Sequence, residues 1–138
     1  VDSRIIAVAA AVLVAGVGAC STPPAAVGTH TAQVSINGKN INPPLAIRCI
    51  QQGWNWLVET PDKESGFRAA LSTGDKITAQ SVEIRGLEGF TGAFWEGTNG
   101  DGKATIDNGR ITITGTAQGE FEGNPDEATA TFDIETRC

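Results

Sequence analysis

The sequence predicts a mainly β domain: a small antiparallel β-sandwich or open barrel of about seven or eight strands, with room for one short helix. Three observations predict it. Short segments alternate apolar and polar residues with the two-residue period of a half-buried strand. Turn-forming residues interrupt those segments at roughly ten-residue spacing, as in sandwiches and barrels. The composition, with 17 glycines, no methionine and many Thr, Val and Ile residues, favours strands and turns over helices.

The first element is not part of that domain. Residues 1–19 read as a lipoprotein signal peptide. Arg4 supplies a positive start, offset by Asp2, and the uncharged run from Ile5 to Val17 is rich in Ala, Val and Ile. Its 13 residues fall short of the ~20 needed to cross a hydrocarbon core. Val17-Gly18-Ala19-Cys20 then has the form of a lipobox: an aliphatic residue, two small residues and a cysteine. Small residues fit narrow peptidase subsites, and the Cys20 thiol is the nucleophile that takes a diacylglyceryl group. The expected product carries covalent diacylglycerol and a fatty acid on Cys20, and needs no other cofactor. A valine at position 1 fits an alternative start codon, so the chain is expected to be the whole unprocessed product.

Residues 20–31 read as the acylated N-terminus and a flexible tether, since Ser21-Thr22-Pro23-Pro24 and the residues after it have no apolar period. His30, the one histidine of the sequence, falls here and reads as a solvated linker residue.

The β-rich domain is expected over residues 32–138. Val34 and Ile36 alternate with polar residues and meet the turn signal Asn37-Gly38. Leu45, Ile47 and Cys49 share one strand face. Gln52-Gly53 breaks the chain before Trp54, Trp56 and Val58, two apart. Phe67 to Leu71 ends at Thr73-Gly74-Asp75, and residues 62–71 fit either a strand or about two turns of helix. Val82 and Ile84 follow. A glycine-rich segment around Phe90, Phe94 and Trp95 leads into a loop at Asn99-Gly100-Asp101-Gly102. The clearest hairpin joins 104–106 to 110–116 through Asp107-Asn108-Gly109. The last strand, 128–138, puts Ala130, Phe132, Ile134, Thr136 and Cys138 on one face.

Two cysteines remain once Cys20 is acylated. Cys49 and Cys138 both fall on apolar strand faces, and exported small domains commonly reinforce a limited core with disulfides. A Cys49–Cys138 bridge is the expected pairing; two free buried thiols are the alternative.

The chemistry-bearing residues are sparse. With its one histidine in the tether, the chain has no base to activate a serine or cysteine. Cys and His do not cluster as zinc requires, and Asn99 to Gly102 lacks the following oxygen ligands of a calcium loop. Glu83, Glu88, Glu96 and Glu120 read as solvated carboxylates rather than a glycosidase pair. No catalytic residue and no metal site are therefore expected. A net charge of −6 with scattered basic residues excludes nucleic acid as a partner. It also gives no attraction to anionic lipid, so membrane attachment falls to the anchor. Trp54, Trp56, Trp95 and Phe90 are the candidates for a ligand or partner surface. Trp54 and Trp56 on one face also suit the core. Trp95 is expected outside if its neighbour Phe94 is inside, because adjacent strand residues face opposite ways.

Val34-Ser35-Ile36-Asn37-Gly38-Lys39, Cys49, the stretch Ile111-Thr112-Ile113-Thr114-Gly115-Thr116-Ala117-Gln118-Gly119, Asn124-Pro125, and Phe132-Asp133-Ile134-Glu135 with terminal Cys138 resemble the mycobacterial 19 kDa lipoprotein antigen family. The resemblance implies an acylated cell-envelope protein with an intramolecular disulfide and no enzymatic activity. It implies recognition by the host, through pattern-recognition receptors that meet the acylated N-terminus. That family's tether is long and crowded with Ser and Thr, whereas this one is short and poor in hydroxyls. The expected function is a lipid-anchored cell-envelope lipoprotein on the extracytoplasmic face, a monomeric surface antigen and interaction module that contacts host or envelope components. The alternative is a carrier or sensor of an apolar ligand, a lipid or a cell-wall glycan.

Overall fold

The structure, a computed structural model, describes residues 30–138. Cys20, the signal peptide and most of the expected tether lie outside the described residues.

Ten strands make up the domain: β1 (His30–Ile36), β2 (Lys39–Asn40), β3 (Leu45–Gln52), β4 (Asn55–Glu59), β5 (Gly66–Ser72), β6 (Thr78–Leu87), β7 (Phe90–Trp95), β8 (Asp101–Asp107), β9 (Arg110–Phe121) and β10 (Asn124–Arg137). The count exceeds the expected seven or eight because β2 is only two residues long and the glycine-rich 90–95 segment is itself a strand. β1 starts at His30, inside the stretch read as tether, and His30 is half-buried and pairs with Ile47.

Residues 62–71 do not form a helix. Asp62 accepts a hydrogen bond from the Glu64 amide in a tight loop, and Gly66 then opens β5. Phe67, Ala69 and Leu71 are buried while Arg68 is exposed, so the period is two. Thr60 closes the loop: its amide donates to the Phe67 carbonyl, and its hydroxyl accepts from the Phe67 amide at 3.1 Å.

All pairings are antiparallel, and they return on themselves in the order β10, β1, β3, β4, β5, β6, β7, β9, with β9 again against β10. β9 changes neighbour along its length, facing β8 over 110–116 and β7 over 118–121. The ring is thus an open barrel or sandwich, with β8 and β2 attached outside the circuit. One apolar core fills it, built on Phe67, Phe90, Ile84, Ile111, Ile113 and Ile134, among others. Two cross-strand glycine pairs let rings into that core. A side chain on Gly102 would strike the Phe94 ring, and one on Gly92 would strike the Phe90 ring. Their partners Gly115 and Gly119, both in the 111–119 stretch, back directly onto the neighbouring backbone.

Antiparallel connectivity sorts the connections to two ends. The start of β1, the β3–β4 turn, the β5–β6 and β8–β9 connections and the end of β10 share one end, here the tether pole. The β4–β5, β6–β7 and β9–β10 connections share the opposite pole.

Candidate functional site

At the tether pole, Cys49 of β3 is bonded to Cys138, just past β10, with Cα atoms 5.9 Å apart and a sequence separation of 89. That separation suits a disulfide. β1 lies between β3 and β10 in the sheet, so the bond clasps the two strands that flank it. Neither cysteine is fully buried, and Cys138 is exposed rather than on an apolar core face.

The four aromatic candidates separate. Phe90 is buried, tilted against Phe121 with ring centroids 5.2 Å apart, so it offers no surface. Trp56 packs half-buried against the core, with its Nε1 buried and without a hydrogen-bond partner. Trp54 is not in a strand at all. Gly53, at φ +59°, makes the first residue of a two-residue turn, and Trp54 stands at its tip, 71% exposed. The pattern that placed Trp54 beside Trp56 in the core fails because Trp54 belongs to the turn and Trp56 to the strand after it. Trp95 is 45% exposed and Phe94 is buried, as strand parity requires.

Register shows what surrounds Trp95. Ile50, Leu57, Ala70, Ser81 and Trp95 are successive cross-strand partners on β3, β4, β5, β6 and β7. Directly opposed residues point to the same face, and here it is the outer one, since the next row, Cys49, Val58, Ala69, Val82 and Phe94, enters the core. The outer row is apolar along most of its length. Its ends, Ile50 and Trp95, are exposed large side chains, and Ala70 and Ser81 between them are small. One flank is a ladder of alternating charge, Arg48, Glu59, Arg68 and Glu83. Glu59 accepts from Arg48 at 2.7 Å and lies 3.6 Å from Arg68. The other flank is Gln52, Asn55, Ser72 and Thr78. An apolar strip rimmed by polar rows is the anatomy of a contact surface.

The end of β7 holds Trp95 in place. Its amide donates to the Asn99 carbonyl, its carbonyl accepts from Thr98 and Asn99, and Asn99 Nδ2 donates to the Ala93 carbonyl at 2.8 Å. A bulge in β6 frees the Gln80 carbonyl, which accepts from Glu96. None of this is legible without the register. The sequence marks Trp95, but not the four partners beside it.

Titratable groups do not converge. Among the described residues no three His, Cys, Asp or Glu side chains gather as metal ligands. Partial burial pushes the Asp133 carboxyl above its ordinary value, and the like charge of Glu135 adds to the rise. Asp133 lies between Ser35 and Thr114, and its register partners include no histidine, lysine or cysteine. An open groove of about 500 Å³ lies at the opposite pole, lined by Gly86, Thr91, Phe121 and Pro125, among others.

The profile of the family described as Mycobacterium 19 kDa lipoprotein antigen matches residues 25–138. A putative lipoprotein of Mycobacterium avium subsp. hominissuis is 33% identical over 133 residues, covering 95% of this chain and 92% of that protein. The probable lipoprotein LppE of Mycobacterium tuberculosis is 30% identical over 131 residues, covering 94% and 92%. Lipoprotein LpqH of Mycobacterium bovis is 32% identical over 150 aligned positions, again covering 94% and 92%. With the profile spanning the whole domain and these relatives matched along nearly their full length, the chain belongs to the Mycobacterium 19 kDa lipoprotein antigen family.

Proposed function

We propose that the protein is a non-catalytic envelope lipoprotein, anchored on the extracytoplasmic face through acylated Cys20, whose domain acts by surface contact. Diacylglycerol and a fatty acid on Cys20 hold it to the membrane, because two or more acyl chains anchor stably where one does not. Host pattern-recognition receptors meet the acylated end, and host or envelope components meet the folded domain. The observation that carries the contact role is the outer-face row from Ile50 to Trp95, a mostly apolar strip with polar rims whose two ends are exposed while Leu57 and Ala70 are half-buried and Ser81 is buried. The carrier alternative draws its support from the exposed Trp54 and Trp95. It is weakened by an interior occupied by one packed core and by recesses that are open surface grooves.

The test is to express the chain and its Cys20→Ala variant in a mycobacterial host. The parent is expected in the membrane fraction with the added mass of diacylglycerol and fatty acid, and it stimulates receptor-bearing host cells. The variant is expected in the aqueous fraction and silent in the same assay. A parent chain without acyl mass, or a variant that stays in the membrane, rules the anchor out.

A further inference from the structure

We infer that the tether pole is a lipid-docking end, seated in the membrane interface through Trp54 at the β3–β4 tip. The inference rests on the proposed anchor at Cys20.

Topology is the first ground. β1 is antiparallel to β3, so the end of the domain where the chain enters at His30 is also the end where β3 turns into β4. Trp54 therefore stands at the pole where the described chain begins. Nine residues lie between Cys20 and His30. Even fully extended they reach roughly 35 Å, about the width of a domain this size. The membrane is never far from that pole.

The tip itself is the second ground. Trp54 is the most exposed large apolar side chain among the described residues. Its backbone is fixed, because the Thr73 amide and hydroxyl both donate to the Trp54 carbonyl, at 2.7 and 3.1 Å. Two neighbouring elements thus hold an indole in solvent, where it has no core role. An indole with an apolar body and one N–H donor prefers the membrane–water interface to either side of it.

Charge is the third ground. The β3–β4 tip, Gln52 to Asn55, carries no charge, and the next connection balances Asp75 with Lys76. The connections of the opposite pole carry Asp62, Glu64, Glu88 and Glu122 against Lys63, with Asp126 and Glu127 at the start of β10 and Lys39 beside Glu88, so acidic groups still outnumber basic ones there. An anionic lipid surface repels that end and leaves the Trp54 end free to approach.

The experiment uses the full acylated chain in vesicles of phosphatidylcholine and an anionic phospholipid, with bromines on the acyl chains to quench nearby indoles. Parent, Trp54→Gln and Trp95→Gln are floated with the vesicles and their emission is compared with that in unbrominated vesicles. Both substitutions replace exposed side chains, so both variants keep the fold. The quenched emission is expected to fall several-fold in Trp54→Gln and to persist in Trp95→Gln. Equal quenching in parent and Trp54→Gln, with all three proteins floating, overturns the docking and leaves the anchor standing. A parent that fails to float overturns the anchor, and the docking with it.

Discussion

Asp133 and Trp95 sit on outer faces of the same domain, and each shows how one side chain reads its strand. Asp133 is partly buried between Ser35 and Thr114, with Glu135 two residues on along the same face. Its carboxyl is raised in the folded protein, so the folded state holds a proton more tightly than the unfolded chain. The resulting stabilisation is fully present below the unfolded value and is lost as pH rises through the folded one. Asp133→Asn is therefore expected to stabilise the protein slightly at pH 7 and to confer no advantage near pH 3, as thermal melts at the two values will read; partial exposure keeps the effect small. A destabilised variant at pH 7 would contradict the assignment. Trp95 was legible from parity, because Phe94 beside it has to face inward. Trp54 was not, because two-residue spacing looks the same within a strand and across a turn at its start. Phe90 was misplaced for a similar reason: its glycine-rich surroundings resemble a loop, yet Gly92 and Gly119 are there to admit the ring.

Among elements, β1, β3 and β10 with their disulfide carry the most. The bond closes a loop spanning a sequence separation of 89, and on the chain-entropy account such a closure contributes about 4–5 kcal/mol, while measured effects typically fall at about 2–4. Cys49→Ser with Cys138→Ser is expected to lower the denaturation free energy by about 3–5 kcal/mol, read from urea transitions with midpoint and slope fitted for each protein, since the uncrosslinked unfolded chain exposes more surface. A loss below about 1 kcal/mol would show that the ladders alone hold β10 in place. Most strands were visible in the sequence because each carries its own alternation and turn. The hairpin at Asn108-Gly109 is the clearest case: both residues have positive φ, as the tight turn demands. The 62–71 segment was ambiguous because Phe67, Ala70 and Leu71 also satisfy a helical spacing. Thr60 settles it by bonding Phe67 from across the loop.

The whole molecule has one core and a circuit of pairings in which the first strand lies against the last. Ala32 meets Thr136, a contact no local pattern announces; the sequence indicates a sandwich or open barrel without saying which strands meet. The outer row from Ile50 to Trp95 was hidden for the same reason, since it exists only once five strands are in register. With no second core among the described residues, the domain is expected to unfold in a single step. Far-ultraviolet circular dichroism and tryptophan emission should trace coincident urea transitions. Separate midpoints would reveal a subdomain, the obvious division being β8 with its half of β9.

The placement of β1 also decides how the protein meets a pull. Load applied through the proposed N-terminal anchor enters the described chain at His30 and runs along β1, whose hydrogen bonds to β10 and β3 lie across that line. They are strained together, in shear, instead of opening one after another like a zip. The Cys49–Cys138 bond stops the two flanking strands from spreading as the load rises. An envelope protein gripped by a partner at one side and by lipid at its base would thus be held by its anchor and its whole first strand at once, so that extraction from the membrane competes with the tearing of a sheet.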